Sequence, residues 1–307
     1  MFLEIHRFNF EWSILEWFNN IDSKILDYFF YLIAQIGGSL GILVLMTIIY
    51  WCINKEKGIK IAFISIVGIN LNGILKGLIL AKRPFQYVGK EYLDRFAGTS
   101  LDAGATGTSF PSGHSQNSGT LYSSVIRYFK KNWILIVSLF MLVIVPISRL
   151  YLGVHFPGDV VTGVGLGIIS AIGFGMLIDK FYNKKTKLFL ICILCFLPFL
   201  FFKNMGKDFY KGMGIFMGCF CGLLLEEKFL NFEIAKNKKI NVLRYLTGLI
   251  VMLICYLIIH VINHLEFVEQ FNWLLKTSNL ITHFALAIVA IFFVPFLFKK
   301  IPFLKDR

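Results

Sequence analysis

The sequence predicts an all-α, polytopic transmembrane helical bundle of about nine spans, and three observations carry that prediction. Of the 307 residues, 57% are hydrophobic and only 16% are charged, whereas a soluble domain carries about a quarter charged residues. Mean hydropathy is +0.70. Phe contributes 33 residues against 7 Pro, which excludes disordered, collagen-like and loop-rich secreted classes.

Taken in chain order, residues 8–19 set aromatic and aliphatic side chains among acids. That composition suits a short interfacial helix, or equally a frayed terminus. The first 24 residues carry Glu4, Arg7, Glu11, Glu16, Asp22 and Lys24, too many charges for the apolar region of a signal peptide. Apolar runs near 28–53 and 59–81 follow, the second with Lys76 buried in its length. The run near 112–129 opens on Phe110-Pro111-Ser112-Gly113-His114. The run near 133–152 closes on Ser148-Arg149, and the one near 158–179 is entered through His155 and Asp159. Runs near 187–204, 209–225, 240–262 and 280–298 complete the nine. The chain thus divides into an N-terminal segment 1–24, a core 25–187 and a transmembrane extension 188–307.

The formal charge of +13 reads as orientation, with no nucleic-acid partner. Nine spans assign each loop to a face. One face, with 54–60, 127–132, 179–187, 226–244 and the C-terminus, holds 19 of the 31 basic residues. The other face holds 11, and Lys76 lies inside a span. The positive-inside rule makes the richer face cytoplasmic. Trp12, Trp17, Trp51, Trp133 and Trp273 fall at or beyond span ends, where an interfacial belt would put them. The six cysteines lie in apolar runs and read as small buried hydrophobes. Gly214, Gly218 and Gly222 form a close-packing stripe, within the bundle or between protomers of a homo-oligomer. His260, His264 and His283 read as interfacial or packed, and Lys236 to Lys239 as a loop meeting anionic membrane lipid.

Three polar clusters fall at the other face. Lys76 and Arg83 are seven apart, which predicts one helical stripe at the span exit. Two cations there suit a phosphate, though snorkelling to headgroups explains Lys82. At 110–114, a helix N-terminus would offer unpaired N–H groups. Gly113 permits close approach, Ser112 can cap or donate, and His114 can move a proton. A plain capped helix start is the competing account. In the third cluster Arg149 adds a cation. Asp159, four residues after His155, can orient the imidazole so that its bare nitrogen attacks phosphorus, or the pair can simply cap a helix.

Lys76-x6-Arg83-Pro84, Pro111-Ser112-Gly113-His114 and Ser148-Arg149-x5-His155-x3-Asp159 together resemble the three-part signature of the type 2 phosphatidic acid phosphatase superfamily, over roughly 38–180. The resemblance implies that 25–187 is a phosphatase core. In it Lys76, Arg83 and Arg149 hold phosphate oxygens, and Ser112 and Gly113 add hydrogen bonds. His155 forms a phosphohistidine, Asp159 orients it, and His114 protonates the leaving group and then activates water. No metal or other cofactor is implied. The expected activity is hydrolysis of a lipid phosphate or diphosphate, phosphatidate-like or isoprenyl, on the extracytoplasmic face of a bacterial cytoplasmic membrane. A lipid phosphotransferase using the same intermediate, and an anion carrier or channel using the same cations, are the alternatives. The plan of spans departs from compact bacterial members and is similar to that of glucose-6-phosphatase.

Overall fold

The computed structural model describes residues 8–89, 105 and 107–306, and every regular element among them is helical. In chain order these are α1 (Asn9–Asn19), α2 (Lys24–Gly37), α3 (Ser39–Ile48), α4 (Lys55–Ile79), α5 (Phe85–Val88), α6 (Gly113–Tyr128), α7 (Asn132–Tyr151), α8 (Pro157–Lys180), α9 (Lys185–Phe196), α10 (Lys207–Leu225), α11 (Lys238–Asn263), α12 (Glu266–Gln270), α13 (Asn272–Ile288) and α14 (Val294–Lys300). Residues 90–104 of the loop counted on the less basic face, and 1–7 of the N-terminal segment, lie outside the described residues.

Among the described residues, five helical stretches are long and apolar enough to cross a membrane: α4, α7, α8, α11 and the continuous Asn272–Lys300. The pair Lys24–Gly37 and Gly41–Ile53, joined at a bend, makes a sixth if it counts as one span. So the uninterrupted run expected near 28–53 is broken at its glycines, where Gly38 leaves helical geometry. The other three expected runs are helical but fall short of the test. α6 is only 16 residues long and rich in Ser, Thr, Gln and Asn. The run near 187–204 changes to 3-10 geometry at Leu197, ahead of Pro198. α10 has Lys207, Asp208 and Lys211 in its first five residues and glycines along its length.

The chain forms two compact units. The first comprises Met1–Leu43 and Leu71–Met176, the second Val44–Asn70 and Leu177–Arg307. In the first, α6 lies deepest despite its polarity. Backbones approach closely at three glycines: a Cβ on Gly119 would lie 2.7 Å from the Val164 carbonyl, one on Gly163 2.6 Å from that of Ser112, and one on Gly167 2.4 Å from that of Gln116. Small residues at such crossings let apposed helices pack by direct backbone contact. The buried hydroxyls of α6 find carbonyl acceptors: Thr120 at Gln116 (2.9 Å), Ser124 at Thr120 (2.7 Å) and Ser118 at Met141 (3.0 Å). A helix this polar is stable in an apolar setting because these groups are paired.

In the second unit the glycine stripe works within the chain. Cβ atoms on Gly214 and Gly218 would lie 2.2 and 2.3 Å from the carbonyls of Leu280 and Phe284 on α13. Phe63, Phe189 and Phe216 pack ring against ring. Trp51 corrects the expectation of an interfacial belt. It is fully buried, its indole N–H donates to the Ala290 carbonyl at 3.0 Å, and Gly248 makes room for its ring. Trp17, Trp133 and Trp273 are exposed, as interfacial anchors would be.

Candidate active site

All eight residues expected at the site fall in the first unit. Pro157 opens α8 as predicted, because its missing N–H is one that no helix end would bond. The turn before it carries His155, which is 1% exposed beside a fully buried Asp159. Asp159 Oδ2 stands 3.5 Å from His155 Nδ1 and accepts the Phe156 N–H at 3.1 Å. It also accepts the Ser109 hydroxyl, whose oxygen lies 3.4 Å from the same imidazole nitrogen. On the far side of the ring, Arg83 Nη1 lies 3.1 Å from Nε2. A guanidinium can only donate, so the network assigns the lone pair to Nε2 and the proton to Nδ1, toward the carboxylate.

Lys76 and Arg83 do not share a helical stripe, which corrects the spacing argument. α4 ends at Ile79, and Leu80 adopts a left-handed φ of 53°, which a branched side chain enters at a cost. The helix therefore stops a turn before Arg83. The two cations nevertheless converge on one segment. Lys76 Nζ donates to the carbonyls of Thr108 and Ser109. Arg83 donates through Nε to Gly107 (3.0 Å) and through Nη1 to Val154 (2.9 Å). Arg83 and Arg149 are both buried, Arg149 completely.

Ser112 is the N-cap of α6, as the sequence suggested. Its hydroxyl oxygen accepts the Ser115 N–H at 3.4 Å and the Ser115 O–H at 2.9 Å. The Ser112 N–H donates to the Asp159 carbonyl at 3.0 Å, tying the second cluster to the third. Gly113 lies on Asn72, and a Cβ there would stand 3.3 Å from Asn72 Oδ1 and 3.9 Å from Lys76 Cε. His114 sits in the first turn of α6, its ring against Gly38. Arg149, Arg83, Lys76 and the His155 imidazole are the groups around it. A helix N-terminus, three cations and two imidazoles thus gather at one place. Such a set can hold a tetrahedral anion and move protons beside it.

Three residues of this site carry no signature. Ser109 braces Asp159. Asn72 donates to the Pro111 carbonyl (3.3 Å) and to Gln116 Oε1 (2.8 Å), pinning the turn ahead of Ser112. Glu11 accepts the Gly158 N–H at 2.9 Å. The signal that could have found Asn72 is its polarity inside an apolar span, one turn before Lys76. Ser109 and Glu11 lie too far along the chain from their partners for spacing to reveal them.

Residues 57–184 match the PAP2 superfamily, and residues 210–307 match the transmembrane extension of PAP2 superfamily phosphatases. A lipid A 4'-phosphatase of Bacteroides thetaiotaomicron is 30% identical over 182 residues, 56% of this chain and 76% of that protein. Glucose-6-phosphatase catalytic subunit 1 of Bos taurus is 30% identical over 172 residues, 48% of this chain and 47% of that protein. The chain thus spans about half the length of the first of its curated relatives. The crystal structure of a transmembrane PAP2-type phosphatidylglycerolphosphate phosphatase from Bacillus subtilis aligns over 55% of this chain and 85% of that one, at 27% identity and a TM-score of 0.45.

Proposed function

The chain belongs to the PAP2 superfamily, and from that premise we propose that it is a metal-independent membrane phosphatase that removes the phosphate or diphosphate of a lipid through a phosphohistidine. One observation carries the reading. His155 turns Nδ1 to Asp159 and Nε2 to a buried guanidinium, which can only donate and so calls for a bare nitrogen there. In this scheme an arriving phosphate draws Arg83 onto its oxygens and frees Nε2, with Lys76, Arg149, Ser112 and the Gly113 N–H holding the remaining charge. The Nε2 lone pair forms the N–P bond as the P–O bond to the leaving group breaks. Asp159 stabilises the charge that grows on the imidazole, and His114 gives its proton to the departing oxygen. His114 then takes a proton from water, and the hydroxide attacks phosphorus, breaking the N–P bond and restoring His155. The cations and the helix end neutralise the transition state, so the scheme routes no step through a metal.

The same reading takes 25–187 as the phosphatase core, 188–307 as its extension, and α1 as an interfacial helix at the extracytoplasmic face of a bacterial cytoplasmic membrane. It keeps nine crossings. α6 is about 24 Å long at 1.5 Å per residue and crosses shielded by its neighbours.

The test is phosphate release by detergent-purified protein with EDTA present. The panel is phosphatidate, phosphatidylglycerophosphate, undecaprenyl diphosphate, lipid A and glucose 6-phosphate. Release from a lipid substrate, inhibited by orthovanadate, is expected. Activity lost on chelation and restored by magnesium would remove the phosphohistidine scheme.

A further inference from the structure

α1 reaches the site through a buried acid. Its outer face shows Phe8, Phe10 and Trp17 to the surroundings, while Glu11 and Leu15 are 3% and 1% exposed. A carboxylate is rarely left in such a place unless its oxygens are bonded. Glu11 Oε2 accepts the Phe8 N–H at 3.2 Å, satisfying the N-cap amide of its own helix. Glu11 Oε1 accepts the Gly158 N–H at 2.9 Å, across 147 residues of sequence. Gly158 is the second residue of α8, where backbone N–H groups have no acceptor within the helix. The negative charge also meets the positive end of the α8 dipole.

Two neighbours of Glu11 hold the same turn. Trp12 meets the Phe156 ring edge-on at 4.9 Å, and Leu15 packs with fully buried Phe156. Tyr87 closes the cage, 5.8 Å from Trp12 and 6.1 Å from Phe156. Phe156 follows His155 directly, and Gly158 precedes Asp159 directly. Every residue of the turn from His155 to Asp159 therefore either belongs to the His–Asp pair, is gripped by α1, or is the proline between them.

We propose that Glu11 is a positioning residue: by bonding the Gly158 N–H it sets the turn that aims His155 and Asp159, making α1 part of the catalytic apparatus. The inference rests on His155 being the nucleophile. A displacement of even about 1 Å at an attacking atom costs on the order of a hundredfold in rate, so a loosened turn shows in kcat while phosphate binding by Lys76, Arg83 and Arg149 persists.

The test uses full-length protein carrying Glu11→Ala, Glu11→Asp, Glu11→Gln or, as control, Glu16→Gln on the exposed face of α1. Phosphate release from p-nitrophenyl phosphate and from a lipid phosphate gives kcat, KM and the pH profile of kcat. Amide exchange follows residues 156–160. Glu11→Ala is expected to lower kcat roughly ten- to hundredfold, leave KM within about twofold, shift the pH profile and speed exchange at Gly158. Glu11→Gln keeps an acceptor oxygen and should recover most of the rate. Glu11→Asp, one methylene short, should fall between them, and decides the matter if the alanine variant does not fold. Wild-type kcat and pH profile in Glu11→Asp or Glu11→Ala overturns the positioning role. A wild-type chain that releases no phosphate from any substrate overturns instead the phosphatase reading beneath it.

Discussion

His155 has two ring nitrogens, and the site treats them differently: one faces a carboxylate and a hydroxyl, the other a guanidinium. That asymmetry predicts a separation between the two histidines. His155→Ala should abolish activity and leave no base-stable phosphoryl label on the protein. His114→Ala should lose about 10²–10⁴ in rate with substrates whose leaving group needs a proton. It should still accept label from p-nitrophenyl phosphate. Acid quenching avoids no hydrolysis of phosphohistidine, so the trap is alkaline denaturation followed by peptide mapping; label on His114, or undiminished in His155→Ala, would reverse the assignment. At this scale the signature residues were legible because they occur at fixed short spacings. The route by which Lys76 and Arg83 meet was not, because it depends on the left-handed turn at Leu80 that ends α4. Ser109 was illegible too, since its partner Asp159 is 50 residues away.

At the scale of elements, hydrophobic runs disclosed the long helices and their order, because crossing a bilayer demands about 20 apolar residues. α2 and α3 were harder to read, since a bend at glycine leaves composition unchanged. α6 reads as one of the spans, near 112–129, although its Ser, Thr, Gln and Asn suit it poorly to face lipid. Its glycine crossings with α8 supply the explanation and a test. A Cβ at position 119 meets the Val164 carbonyl at 2.7 Å, whereas one at Gly165 has nothing within 4 Å. Gly119→Val should therefore destabilise the protein by about 1–3 kcal/mol through overpacking. Gly165→Ala should be neutral or stabilise by up to about 1 kcal/mol, because alanine replaces glycine inside a helix. Thermal unfolding in detergent compares the two. Equal losses would remove the account of α6 as a helix seated in a glycine groove.

Across the whole molecule, the proposed nine crossings would divide the basic residues 19 against 11, which predicts the direction of the chain in the membrane. In a cysteine-free background, Val88→Cys should react with an impermeant thiol reagent on intact cells, and Asn183→Cys should react only after permeabilisation. Both positions are exposed. The reverse pattern would put the proposed site in the cytoplasm.

Lys76 and Arg83 hold the backbone of residues 107–109 by its carbonyls, so in the proposed reaction a phosphate and the chain itself would be rivals for the same two charges. A bound phosphate would then slacken that segment. Once the site emptied, the segment would recapture its donors and so act as an internal competitor that helps evict inorganic phosphate after each turnover. A tighter grip on the anion would then come with a slower departure of the product.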